Sequence, residues 1–175
     1  MLVLIGPSAS GKTEVSKKLI EKYGMKKLIT CTTRPMRINE VNDVDYHFLS
    51  VEDFKKKISL NEFAEWQEYN GNYYGSLKSE VDIEKVVILE PQGFYEYLKL
   101  DLDIYSVFLN IDKDVRFKRM LGRGDGEDKA KSRIKTDEVV FTDKLADQVD
   151  LVFEDFSLSV EEIADYIYLK YKGER

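Results

Sequence analysis

The sequence predicts an α/β fold, a parallel β-sheet flanked by helices. Short apolar runs recur at 2–5, 86–89 and 104–111, as buried parallel strands require. Between them lie stretches with apolar residues at helical spacing. The third observation is GPSASGKT at 6–13, placed between the first run and the first helical stretch. That pattern, G-x-x-x-x-G-K-[ST], is a phosphate-binding loop, and the strand-before, helix-after context is the one it needs.

The elements follow in order. Leu2, Val3, Leu4 and Ile5 form the first strand. After the loop, Val15, Leu19 and Tyr23 stand at i, i+4 and i+8, and Gly24 ends the helix. Residues 25–33 read as a short strand running into a polar loop. Val51 to Ile58 reads as a helix capped by Ser50. Phe63–Tyr69 and Tyr73–Ser76 flank Asn70-Gly71, a hairpin turn signal. Val86–Leu89 and Ile104–Ile111 are core strands, and Asp112–Arg123 has helical spacing. Leu151–Phe153 is a last short strand, and Val160, Ile163, Ala164 and Ile167 mark an amphipathic helix near the C-terminus. The β-rich stretch from 31 to about 76 reads as an insertion hanging off the sheet. Gly122, Gly124 and Gly126, around Arg123 and Asp125, suit a mobile lid.

A length of 175 residues fits one domain with a substantial core. The net charge of -6 argues against general nucleic-acid binding, so any phosphate must be met by local Arg and Lys. One Cys, Cys31, excludes an internal disulfide, and with one His, His47, it leaves no evident transition-metal constellation. No apolar run approaches a membrane span, and the first residues lack the basic start of a signal peptide. The expectation is a cytoplasmic protein with no membrane, nucleic-acid or obligate protein partner.

In the loop, backbone N–H groups of Gly6, Pro7, Ser8, Ala9, Ser10, Gly11, Lys12 and Thr13, less the proline, are disposed to cradle phosphate oxygens. Lys12 reaches the terminal phosphates, and the Thr13 hydroxyl is a Mg²⁺ ligand in such loops. Arg34 and Arg37 sit three apart in TTRPMR at 32–37, where two planar forks can meet one anion, or both can be solvated surface charges. Glu65 lies within the apolar run FAEW at 63–66. A buried carboxylate there needs a donor, either a structural ion pair or a base edge with two N–H groups. Arg116, Arg119 and Arg123 share a helical face, turned either to local acids or to a transferring phosphoryl group. Cys31 reads as a small packed residue, and His47 as capping or packing in its strand.

Several motifs together carry a resemblance: the loop, TTRPMR, Glu40, DYHF at 45–48, FAEW, and GNYYGS at 71–76, in this order. They resemble the guanylate kinases over essentially the whole chain. The resemblance implies a P-loop nucleoside monophosphate kinase that turns ATP and GMP into ADP and GDP with Mg²⁺. It divides the chain into a core (1–30, 77–120 and 138–175), a GMP-binding segment (31–76) and a lid (121–137). It implies that Arg34, Arg37, Tyr46 and Tyr74 bind the GMP phosphate. Glu65 would read the guanine edge, with Thr30 and Ser76 near the guanine carbonyl and Gly75 between motif positions. Arg119, Arg123 and Arg133 would act with Lys12 on the phosphates in the closed state. Two places depart from the family pattern. Glu90 stands where an Asp is common, placed to help hold Mg²⁺ or to meet guanine or ribose, and Glu154-Asp155 replaces Asn-Asp. Another kinase of this fold, such as a ribose bisphosphate kinase, is the nearest rival. A non-catalytic module of the same family is another, although such modules typically lack the intact loop.

Overall fold

The computed structural model describes every residue except 39, 70, 101, 174 and 175, together with the side chain of residue 69. Its centre is a five-stranded sheet with the order β2 (Lys26–Lys27), β7 (Lys85–Ile88), β1 (Leu2–Ile5), β8 (Tyr105–Leu109), β9 (Leu151–Phe153). Every pairing in it is parallel. Because side chains alternate along a strand, β1 feeds two cores. Leu2 and Leu4 pack with Val15 and Leu19 of α1 (Lys12–Tyr23) and with Ile163 and Ile167 of α7 (Val160–Gly173). Val3 and Ile5 pack on the other face with Phe94 and Tyr97 of α3 (Pro91–Leu98). Burial of each such side chain contributes about 1.5–3 kcal/mol. The sheet is therefore rigid where its strand ends present the loops.

A second sheet, β4 (His47–Phe48), β3 (Cys31–Thr32), β6 (Asn72–Leu77), β5 (Phe63–Tyr69), is built from the inserted stretch. β3 runs parallel to β4, and β6 is antiparallel to both β3 and β5. It has its own small core of Cys31, Phe54 and Phe63, closed by α2 (Val51–Ser59). Ser50 caps α2, accepting from the Asp53 N–H at 3.0 Å. The expected turn residue Asn70 lies outside the described residues, and Gly71 beside it has φ +72.

The reading of 25–33 as one strand is corrected. Lys26–Lys27 is an exposed edge strand of the large sheet, and Cys31–Thr32 belongs to the small one. The chain leaves the first sheet after the Leu28 N–H donates to Val86 O at 3.0 Å. Two lysines on an edge strand discourage further pairing. The helix after β8 is α4 (Lys113–Gly122), capped by Asp112. Beyond it, α5 (Glu127–Val140) and α6 (Asp143–Ala146) were not anticipated, nor was α3 or the single 3₁₀ turn at Lys78–Glu80. Among the described residues, no helix is long and apolar enough to cross a membrane.

Candidate active site

The phosphate loop joins β1 to α1. Its glycines have separate reasons. A Cβ on Gly6 would stand 2.9 Å from Leu109 O, so the loop's close approach to β8 demands glycine. Gly11 has φ +103, open to glycine and strained for other residues. Ala9 also lies in the left-handed region, at φ 61. The first N–H groups of α1 lack helical partners and point, with the positive end of the helix dipole, out of the loop. Lys12 folds back, its Nζ donating to Gly6 O and to Pro7 O. Burial lowers its pKa, opposed by the fields of Glu90 and Asp137. A cavity of about 540 Å³ opens here, lined by residues 9–14, Arg119, Arg123 and Val160. Within it the buried Ser10 hydroxyl has no partner, and Thr13 is exposed.

Arg119, on α4, donates from Nη1 to Ala9 O at 3.2 Å and Ser10 O at 3.3 Å, so one lid-side arginine already touches the loop. The other two do not. Arg123 binds Asp125 through Nε at 2.8 Å and Nη2 at 2.6 Å. Arg133 Nη1 is 3.6 Å from the same carboxylate. Asp125, held by both, has its pKa depressed, chiefly through its hydrogen bonds from Arg123. Arg116, on the same face of α4, is buried against Asp137.

The inserted sheet and the loops beside it carry the remaining candidates. Arg34 Nη1 and Nη2 bind Glu40 at 3.0 and 2.7 Å, and the Arg37 N–H donates to Glu40 Oε2 at 2.8 Å while its side chain stays exposed. The Arg34 guanidinium lies over the rings of Tyr46 and Phe48, 5.6 and 5.7 Å from their centroids. Tyr74 pairs with Thr32 across β3 and β6. Cys31 pairs with Gly75, which sets Thr30 and Ser76 at neighbouring positions. The Thr30 carbonyl accepts from the His47 N–H at 2.9 Å. Gly75 serves packing: a Cβ there would stand 2.7 Å from Glu65 O and 2.9 Å from Trp66 Cβ.

Glu65 projects from β5 and is buried. Its Oε1 accepts from Ser76 Oγ at 2.6 Å. Burial pushes its pKa up, and the hydrogen bonds from Ser76 only partly oppose this. Gly93 of α3 closes over it, where a Cβ would come within 3.4 Å of Oε2. Glu90, at the N-terminus of α3, lies within the field of Lys12. Its surface is part open, yet enough of the carboxylate is shielded to raise its pKa, opposed by Lys12. Glu154, the departure near β9, accepts from Asn110 Nδ2 at 2.8 Å.

The donors suit Mg²⁺. Thr13 Oγ1 and the Glu90 carboxylate are hard oxygen ligands, and this ion commonly takes one or two protein groups with phosphate and water completing its shell. Sequence reasoning missed Asp137 and the structural use of Arg116. They lie 21 residues apart, and no periodicity links them.

The sheet order and the loop between β1 and α1 define a P-loop α/β protein, with a second small sheet built from the insertion. The sequence profile of the family described as Guanylate kinase matches residues 1–168. The chain is 35% identical over 143 residues to the guanylate kinase of Fusobacterium nucleatum subsp. nucleatum, covering 77% of each chain. It is 40% identical over 144 residues to that of Hydrogenovibrio crunogenus, covering 77% of this chain and 70% of the relative. Its fold is similar to a crystal structure of guanylate kinase from Anaplasma phagocytophilum, with a TM-score of 0.69 at 24% identity, over 99% of this chain and 85% of that one. The chain belongs to the guanylate kinase family, and is an enzyme of the nucleoside monophosphate kinase kind.

Proposed function

We propose that the protein transfers the γ-phosphoryl group of ATP to GMP, giving ADP and GDP, with Mg²⁺. The observation that carries this reading is the buried Glu65 carboxylate, held on one oxygen by Ser76, in the same sheet as Tyr74, with Arg34 just past β3 and Tyr46 just before β4. A buried acceptor beside a phosphate-sized group of cations and hydroxyls fits a base and its 5′-phosphate. Guanine offers N1–H and a 2-amino group side by side, and adenine offers no such donor pair.

Little covalent help is needed. The GMP phosphate has a second pKa of about 6 and is largely dianionic near neutral pH, so it is its own nucleophile. The protein aligns the reactants and neutralises charge. Arg34, Arg37, Tyr46 and Tyr74 hold the acceptor phosphate. Lys12 releases the loop carbonyls and meets the transferring oxygens, with Arg119 beside it. The Thr13 hydroxyl, with the Glu90 carboxylate, would hold Mg²⁺, which would add to the neutralisation of the donor phosphates. Arg123 and Arg133 exchange Asp125 for phosphate as the lid, 121–137, closes, and closure excludes water as a competing acceptor. The test is a coupled assay of ATP consumption across the common monophosphates. Activity with GMP, weaker with dGMP and slight with AMP or UMP, is expected. Equal rates on AMP or UMP, or none on GMP, would refute the reading.

A further inference from the structure

Arg116 and Asp137 form the most deeply buried ion pair among the described residues, 2.8 Å apart with side chains 6% and 11% exposed. Neither residue ends there. Asp137 Oδ2 accepts from the Ser8 N–H at 3.0 Å, and Oδ1 from the Ser8 hydroxyl at 3.3 Å. Arg116 Nε donates to Ile111 O at 3.0 Å, and Nη1 to Ser8 O at 3.4 Å. One turn of the phosphate loop is thus clasped on its N–H, its carbonyl and its hydroxyl by a single pair. The pair also joins three elements: the loop after β1, α4, and α5.

Besides its packing along α4, where Lys113 pairs with Glu138, α5 is held by this contact. Of its fourteen residues, only Ala130 and Asp137 are buried. Its other end leads back to Gly122, Gly124 and Gly126, where a Cβ would meet nothing within 4 Å and where Gly124 has φ +91. Asp137 pins the arm near its end. Arg133 stands four residues before Asp137, one turn away on the same helix face. A buried pair of this kind is weak grounds for added stability, since an apolar replacement is often as stable. What it does specify is geometry.

We propose that Arg116 and Asp137 are positioning residues for the donor side of the reaction. They hold the Ser8 turn in its phosphate-receiving shape and pin the root of the lid helix to it. This deepens the kinase reading and rests on it for the role of the lid. The carboxylate takes the Ser8 N–H and hydroxyl and leaves the N–H groups at the start of α1 to the phosphate. Its field also acts on Lys12.

The experiment compares wild type with Asp137→Ala, Asp137→Asn and Arg116→Lys. It measures ATP and GMP binding by calorimetry, kcat and KM for each nucleotide, and Tm. Asp137→Ala should lower kcat/KM for ATP by about ten- to a hundredfold, the scale of a displaced reacting group. GMP affinity should stay within about twofold, since a local change on the donor side leaves the acceptor contacts in place. Asp137→Asn keeps one acceptor for Ser8 and should fall between. Arg116→Lys keeps the charge but loses the fork, and should shift ATP in the same direction. If both nucleotides weaken together in step with Tm, the pair only supports the fold and the proposal fails. If ATP binds more tightly to Asp137→Ala, the carboxylate competes with phosphate and the proposal is overturned. Should Asp137→Ala not fold, a folded Arg116→Lys with unchanged ATP binding and kcat overturns it equally. ATP binding needs no transfer. A wild type that binds ATP but leaves GMP untouched would therefore refute the kinase reading and still allow this judgement.

Discussion

The guanidinium of Arg34 is closed on the carboxylate of Glu40 by two nitrogens, at 3.0 and 2.7 Å. The same carboxylate takes the Arg37 N–H at 2.8 Å. Glu40 therefore sets the loop's shape and aims the Arg34 fork, while the Arg37 side chain stays free for an incoming anion. Arg37→Ala should weaken GMP by about 1.5–3 kcal/mol, the worth of hydrogen bonds to a charged group, and spare ATP. Calorimetric titration with each nucleotide separates the cases, and a selective loss of ATP affinity would contradict the placement.

Glu65 makes the sharpest prediction. With its carboxylate accepting from N1–H and the 2-amino group, kcat/KM should fall in the order GMP, IMP, AMP. IMP lacks one donor and AMP lacks both. Each buried acceptor left unpaired costs about 1–3 kcal/mol. Glu65→Gln should compress the order, because the amide presents a donor as well as an acceptor. An unchanged GMP-to-AMP ratio in the variant would return Glu65 to a structural role.

The same residue sets a pH dependence. Burial raises the Glu65 pKa, so the carboxylate is lost at a higher pH than an exposed one would be. As pH falls through that value, kcat/KM for GMP should fall, and Glu65→Gln should lack this limb. Linkage gives stability the opposite sign. A carboxyl with a raised folded pKa favours the folded state on the acid side and loses that contribution as pH rises. Loss of activity in this window is therefore not unfolding, and circular dichroism over the same range checks it.

Lys12→Met should leave GMP binding nearly intact while kcat falls by about 10³–10⁵, the scale of a cation at the transferring group. In the structure the Lys12 ammonium is spent on the carbonyls of Gly6 and Pro7, away from the acceptor sheet. Near-normal turnover in the variant would remove Lys12 from the chemistry.

Gly75→Ala addresses packing. The new Cβ would fall 2.7 Å from Glu65 O and 3.0 Å from Phe63 Cδ1. Overpacking of this kind costs about 1–3 kcal/mol. Denaturant titration should show that loss, and a variant as stable as wild type would mean the β5–β6 ladder gives way easily.

Much of this was legible because it is local. The apolar run 2–5, the loop after it and the helix stripe of Val15 and Leu19 each carry their own signal, and the observed β1 and α1 follow them. The runs 86–89 and 104–111 were equally plain, and the strands Lys85–Ile88 and Tyr105–Leu109 fall on them. The helix α5 was not, because a helix that buries only an alanine and an aspartate has no apolar stripe. α3 hid its signal in Pro91 at the first turn, with Phe94 and Tyr97 three apart. In the site, motif residues such as Glu65 and Ser76 do meet across a ladder. The Asp125 contacts of Arg123 and Arg133 form where α4 gives way to α5 and leave no trace in spacing.

Cys31, the chain's single cysteine, lies fully buried in β3, paired with His47 on one side and Gly75 on the other. Burial pushes its thiol up to about 11, so at neutral pH almost no thiolate exists to attack a disulfide or alkylating reagent. A reagent can reach it only when the ladder holding Thr30, Tyr74 and Ser76 comes apart. The thiol thus works as a stopwatch for that sheet. Its labelling rate counts openings, and any ligand that ties the sheet shut lengthens the interval between ticks.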